Sequence, residues 1–273
     1  MAAPRPRLAS PASPCLPGNG DTLTRLASGF EIGVTMAWRH VRGAIDLLAV
    51  TADDLTTAMK SIRLLAYAIL DGTQVPIDRV ADQKPYYSGK HRRHGVNVQV
   101  IADPAGRLIW ASAALPGSVD GLTAARTHTI IDTLTNANVM TFADKAYQGA
   151  RGSIRTPFKR HRYRPKLSRW QKKVNRAHAK IRAIGERANA TLRTWKVLTR
   201  LRCSPHRATR IGKAILVLHH DANPTYRGYG SMPRDRTLRI WRHRFPDSLE
   251  SDTITTLPGL WSYITPRNPT CRE

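Results

Sequence analysis

Three carboxylates stand where this chain could hold a divalent cation. Asp71 follows the apolar run "LLAYAIL" and opens "DGT". Asp144 closes the apolar run "VMTFAD". Glu186 sits alone in "KIRAIGERANATLRTWKVL". Between Arg151 and Lys213, 63 residues hold 21 lysines and arginines and one acid, Glu186. Two aspartates on adjacent strand ends repel unless a cation lies between them. Mg²⁺ suits that place, because it keeps several waters and takes one or two carboxylates plus a substrate phosphate. A third acid would complete a two-ion centre for in-line displacement at phosphorus, with the ions ~3.5–4 Å apart. One ion would activate water or a 3′-hydroxyl, and the other would stabilise the leaving oxygen. Glu186 either fills that third place or forms an ordinary surface pair with Arg182 one turn back, worth about 0.3–0.5 kcal/mol. Its spacing leaves both open.

Positioning these acids needs a sheet and a long helix. "LLAYAIL" predicts a strand ending at the turn "DGT", with "QVPIDRV" returning as an irregular or edge strand because Pro76 lacks a donor. Val96, Val98 and Val100 alternate with Asn97 and Gln99, then "DPAG" turns into "RLIWASAAL", which predicts a hairpin. Leu122, Ala125, Ile130, Ile131 and Leu134 have the spacing of one crossover helix. That crossover lets "VMTFAD" pair parallel to "AYAIL", so both aspartates reach one sheet edge, where ligands collect in α/β folds. A helix is predicted from about Ser168 to Arg200. Its apolar stripe is Val174, Ala177, Ile181, Ile184, Ala188, Leu192, Trp195 and Leu198. Glu186 lies roughly 160° from the Ile184/Ala188 stripe at ~100° per residue, pointing away from the core. Trp195 reads as core, whereas Trp170 and Tyr163 interleave with arginines and suit stacking on splayed bases. His219 and His220 end the helix "IGKAILVLHH", where they would face its dipole.

Composition names the partner. The 273 residues carry 44 Lys+Arg against 19 Asp+Glu, a net charge of +25. Such a chain repels itself unless a polyanion neutralises it, and each phosphate contact with nucleic acid releases counterions. A membrane surface fits less well, because the basic residues are not set against a continuous apolar stripe. Length allows one or two domains. Cys15, Cys203 and Cys271 form neither a disulfide framework nor a zinc motif. No secretory h-region and no run of 18 apolar residues occurs, so a soluble, reduced, cytoplasmic and nucleoid-associated protein is expected.

Residues 1–20 read as a disordered arm, and 221–273 as a tail without pattern. Residues 21–62 read as a helical module. Leu23, Leu26, Ala27 and Phe30 mark a first helix capped by Asp21, and Ile32-Gly33 supplies the break. Met36, Ala37, Val41, Ala44, Ile45 and Leu48 mark a second helix, with Thr35, Arg39 and Arg42 on its exposed face. Either a DNA-reading helix-turn-helix or a plain helical hairpin fits this pattern, and Glu31 stands where glycine often makes the turn. "KHRRH", with Lys90, His91, Arg92 and Arg93, suits phosphate-backbone contact better than metal binding. Lys145, Arg182, Arg193 and Lys196 extend the same basic surface.

"AILDGTQVPIDRV", "YYSGKHRRHGVNVQVIADPAGRLIWASAALPGS", "MTFADKAYQGARG" and "NRAHAKIRAIGERANATLRTWKVLTRLRC" together resemble bacterial transposases of the insertion-sequence-five group, related to the eukaryotic Harbinger type. The resemblance runs from about residue 21 to His220. It implies an α/β fold whose ribonuclease-H-like mixed sheet is flanked by helices over residues 63–220 and preceded by a helix-turn-helix. It places the DDE triad on Asp71, Asp144 and Glu186. It also implies two Mg²⁺ or Mn²⁺ ions, double-stranded DNA as partner (terminal inverted repeats and target), and a homo-oligomer that joins two ends. A decayed relic that retains only DNA binding is the alternative. Three departures stand out. In "GSVDGLTAAR", Asp120 and Gly121 replace the usual His-Asp pair, leaving Asp120 as a substitute metal residue. Ala146 replaces a turn glycine, which predicts backbone strain. Both ends also differ from relatives.

Overall fold

The computed structural model describes residues 22–78, 84–160, 163, 166–199 and 201–222. The predicted arm at 1–20, and the predicted tail beyond residue 222, lie outside them. Three helices come first: α1 (Leu23–Gly29), α2 (Val34–Thr51) and α3 (Leu55–Ile62). Thr22, rather than Asp21, caps α1, its side chain accepting from the Arg25 amide at 3.2 Å. Leu26, Ala27 and Ala37 form a small core between α1 and α2, flanked by Phe30, Ile32 and Val41. The connection turns at Glu31, which takes a left-handed φ of 54°. A β-carbon is disfavoured in that region, where glycine is at ease. Glu31→Gly is therefore expected to stabilise the fold by about 1 kcal/mol, whereas Glu31→Ala gives no gain. Urea denaturation midpoints of the two variants decide this.

Strand β1 (Ala68–Pro76) runs straight through Asp71, Gly72 and Thr73. The predicted turn at "DGT" does not form, because eight consecutive residue pairs, Ile69↔Ala102 to Pro76↔Gly95, hold β1 against β3 (Arg93–Ala102). A long ladder outweighs the local turn preference of Asp-Gly. Strand β2 (Tyr87–Ser88) pairs with the start of β3, while β4 (Leu108–Ala111) and β5 (Leu115–Pro116) flank its other parts, so the predicted hairpin is present. Two helices, α4 (Gly121–Thr127) and α5 (Ile130–Asn136), replace the single predicted crossover helix. They break at Thr129, which has a φ of 54°. As expected, β6 (Thr141–Ala143) pairs parallel to β1, and β7 (Ile154–Arg155) extends the sheet to the order β2-β3-β1-β6-β7.

Helix α6 (Arg169–Thr194) opens on a Ser168–Gln171 capping box and gives way to a 3₁₀ turn at Lys196–Leu198, short of the predicted end near Arg200. It lies across β1, β3, β4 and β6. The buried face is centred on His178, Gly185, Ala188, Asn189 and Leu192, while Ala177, predicted to be buried, is exposed. Gly185 sets the approach: a β-carbon there would lie 2.6 Å from Ile69 Cγ2. Gly106, with φ 80°, does the same for the β3–β4 loop, where a β-carbon would lie 2.4 Å from the Ile184 carbonyl oxygen. Helix α7 (Pro205–Ala222) packs on α2 and β4. Asp46 of α2 binds Arg207, and also Arg210 at 2.8 Å. His220 is buried and hydrogen-bonds the Leu108 carbonyl at 2.8 Å. Burial holds His219 and His220 below the ordinary imidazole value, His219 to about 4, so both are neutral near pH 7 and offer the helix dipole no charge. No helix among the described residues is long and apolar enough to cross a membrane.

The sheet thus has two covered faces. Ile69 and Val75 pack with Ala188, Leu192, Trp195 and Ile215 on one side. Ala68 and Leu70 pack with Met59, Ile62, Ile130, Leu134 and Tyr147 on the other. Trp195 belongs to the core, as its position on the stripe predicts, and is fully buried. Alternation along β1 turns Asp71 towards the α6 side and Gly72 towards Tyr147.

Candidate active site

Parallel pairing aligns the two aspartates. Ile69↔Phe142 and Leu70↔Ala143 are register partners, so Asp71 and Asp144 are the next residues along two adjacent strands. Asp71 is half-buried. Its Oδ1 accepts from the Gly72 amide at 2.9 Å, and its Oδ2 accepts from Asn189 Nδ2 at 2.8 Å. Asp144 begins a 3₁₀ turn (Lys145–Tyr147), its Oδ1 accepting from the Ala146 amide at 2.7 Å. Ala146 is not among the residues of positive φ; Gly149 takes that role at φ 90°. The strain predicted for Ala146 is absent because the turn is helical at that position.

Glu186 lies on α6 with its side chain 57% exposed, 3.7 Å from Arg182. The surface pair is therefore real, yet the charge of Glu186 also reaches Asp71. Burial pushes the Asp71 carboxyl above its ordinary value. The Gly72 amide opposes this rise, the carboxylates of Glu186 and Asp144 add to it, and the Arg182 guanidinium offsets part of it. Asp71 thus senses both other predicted acids, although no group of three His, Cys, Asp or Glu side chains among the described residues is gathered closely enough to hold an ion as it stands.

The sign of this effect gives a testable result. With its folded-state value raised, Asp71 supports folding fully only below the ordinary carboxyl value of 3.8. That support disappears as pH climbs through the raised value. Near pH 7 the ionised carboxylate therefore weighs against the metal-free fold. Asp71→Asn is expected to raise the metal-free melting temperature at pH 7 and to shrink the gain at pH 4. A fall at pH 7 would contradict the electrostatic reading.

Tyr147 packs against Gly72 on the sheet face opposite α6. Its hydroxyl donates to Gln99 Oε1, Gln99 Nε2 donates to Asn97 Oδ1 at 2.9 Å, and Asn97 Nδ2 donates to the Val119 carbonyl at 2.8 Å. A β-carbon at Gly72 would lie 3.1 Å from both the Tyr147 hydroxyl and Gln99 Nε2. Burial, then the charges of Asp71 and Asp144, hold the Tyr147 phenol well above its ordinary value, so it remains a donor. Asn189, Tyr147 and Gln99 escaped sequence reasoning. The available signals were a polar residue on the buried face of α6 and the tyrosine of "DKAYQG".

The basic residues are placed as follows. Lys90, His91, Arg92 and Arg93 are exposed at the β2–β3 turn. Burial, then Lys90, Arg93 and Arg193, hold His91 below its ordinary value. Arg182, Glu186 and Arg193 follow one another at four- and seven-residue intervals, the spacing of one helix face. Lys145 and Lys196 are exposed, as are Thr35, Arg39 and Arg42 on α2, where the Arg42 guanidinium sits 5.0 Å from the Trp38 ring centre. Trp170 and Tyr163 are strongly exposed, and Trp170 stacks at a tilt with Phe158.

The model of the DDE superfamily endonucleases matches residues 70–220, beginning one residue before Asp71 and spanning Asp144 and Glu186. The chain belongs to that family. A protein of Streptomyces albus G named "Putative transposase for insertion sequence element IS112" is 29% identical over 131 residues, 48% of each chain. The chain thus spans about half the length of the curated relative it matches. No solved structure matches it significantly.

DDE endonucleases work with divalent metal ions, and the donors present fit a hard cation. They are carboxylate oxygens, that of Asp71 destabilised by burial and then by its neighbours' like charge, beside a buried Asn189 Oδ1 that has no hydrogen-bond partner among the described residues. Asp120 heads α4. Its Oδ1 accepts from the Thr123 amide at 3.0 Å and its Oδ2 from the Thr123 hydroxyl at 2.7 Å, capping α4. These bonds hold its carboxyl below the ordinary value. At position 121 a β-carbon would lie 3.3 Å from the Tyr147 ring, so the glycine leaves that side of the site without a carboxylate.

Proposed function

We propose that this chain is a transposase that binds terminal inverted repeats, cleaves DNA at their ends and joins the freed 3′-hydroxyls to target DNA. The observation that carries the reading is the parallel register that sets Asp71 of β1 level with Asp144 just past the end of β6, under the helix that carries Glu186. Asp71, Asp144 and Glu186 are the residues that would hold two Mg²⁺ or Mn²⁺ ions. Bound there, the ions would supply an activated nucleophile and charge stabilisation at phosphorus. The chain's own part is to fix the two aspartates by strand register and to carry the third acid on α6.

On this reading residues 63–220 form a ribonuclease-H-like catalytic domain and residues 21–62 a helix-turn-helix. Thr35, Arg39 and Arg42 would meet a DNA groove, and the turn at Lys90–Arg93 with Lys145, Arg182, Arg193 and Lys196 would meet phosphates. Arg193 lies seven residues beyond Glu186, about 10 Å along the helix at 1.5 Å per residue. A phosphate chain crossing the acids could continue onto the basic turn. Two repeat ends require two active sites, so the working form is a homo-oligomer. The IS112 relative's printed name supports transposition as the biological role.

Purified protein is expected to nick a labelled repeat duplex in Mg²⁺ or Mn²⁺ and to leave it intact in chelator. The engagement of Asp120 in capping and the bare Gly121 favour a second reading, a relic that binds without cutting. Repeat binding with no metal-dependent nick would establish that reading instead.

A further inference from the structure

Asn189 lies one turn beyond Glu186 on α6 and is 4% exposed. Its Nδ2 donates to Asp71 Oδ2 at 2.8 Å. Its own Oδ1 is buried and receives no hydrogen bond from any described residue. Buried acceptors in folded proteins are rarely left so, and an exception points to a ligand, a water or a functional role. Turning the amide over would not relieve it, because Oδ1 would then face a carboxylate oxygen and the Asp71 bond would be lost. An amide oxygen held beside a carboxyl group is a donor for a hard cation or its hydration water, and is of little use to an anion.

We propose that Asn189 is a positioning residue of the acidic site. Through Nδ2 it fixes Asp71 against α6, and through Oδ1 it gives the hydrated divalent cation a neutral oxygen donor. The inference rests on the DDE reading above and adds to it. One amide then couples the strand carrying the first acid to the helix carrying the third, and takes part in holding the ion.

Titration of the full chain with Mn²⁺ in a calorimeter, without DNA, tests this, alongside binding of the labelled repeat duplex. Asn189→Leu keeps the volume and removes both polar atoms. It is expected to weaken Mn²⁺ binding by about 10–100-fold, as loss of an outer-shell partner does, while duplex affinity stays within a few fold. Asn189→Asp keeps an oxygen where Oδ1 stands but gives up the Nδ2 bond to Asp71, and is expected to recover part of the Mn²⁺ affinity that Asn189→Leu loses. Wild-type affinity in Asn189→Leu overturns the proposal. An equal loss in Asn189→Asp overturns the oxygen-donor role, whether or not the leucine variant folds. Asp144→Asn is run in parallel: if it binds Mn²⁺ like the wild type, the acidic-site reading itself fails. If Asp144→Asn loses the ion and Asn189→Leu does not, only the role of Asn189 fails.

Discussion

Asp144→Asn is expected to lower metal-dependent cleavage of the repeat by at least about 10³-fold, since a metal-held carboxylate contributes several kcal/mol to phosphoryl transfer. Duplex affinity should stay within a few fold. The separation follows from what the side chain does locally. Asp144 Oδ1 accepts from the Ala146 amide at 2.7 Å, and asparagine retains an acceptor for that bond. The turn at Lys145–Tyr147 therefore keeps its geometry, and Lys145 keeps its exposure. The variant loses negative charge at the end of β6, level with Asp71. Cleavage on labelled duplex and filter or mobility-shift binding, made on one preparation, give the two readouts. Equal loss of both would argue against a catalytic assignment and for a structural one.

Gly185→Val should have the second-largest effect, and it acts at a distance. Gly185 sits on Ile69, where even a β-carbon would approach Cγ2 to 2.6 Å. Ile69 is buried in the packed sheet and cannot withdraw, so α6 must move. Overpacking of this kind costs about 1–3 kcal/mol of stability. The functional loss should be larger in proportion, because the displaced helix carries both Glu186 and the Asn189 amide bonded to Asp71. Misplacement by about 1 Å can cost roughly 10²-fold in rate. Urea denaturation and cleavage by the same variant test the two effects together, with Gly185→Ala expected to fall between. Full cleavage by Gly185→Val would mean that the α6–β1 contact does not set the catalytic geometry.

Long patterned segments were legible in the sequence, and local endings were not. The hairpin of β3 and β4, the parallel pairing of β6 with β1, and the basic helix all follow from periodicity over many residues. Asp71-Gly72-Thr73 misled because turn preference is local, whereas the β3 ladder that overrides it lies more than twenty residues away. Thr129 broke a helix whose apolar spacing was continuous, since spacing carries no record of a left-handed φ. For the candidate site, the strand placement of Asp71 and Asp144 was legible, and the parallel register sets the two level. Asn189 was invisible as a partner of Asp71, because that contact spans 118 positions and its donor looks like one more polar helix residue. Glu186 remained ambiguous in sequence for a sound reason: it makes the surface pair with Arg182 and also acts on Asp71.

The unbroken course of β1 through Asp71 has a mechanical consequence. A carboxylate in mid-strand, laddered to β3 and level with the end of β6, is the stationary jaw of a vice. Facing it are Asp144, at the head of a short turn, and Glu186, on a solvent-exposed side chain. On the proposed reading, tightening on an ion would come from one side, with the strand as the datum that the other two acids approach.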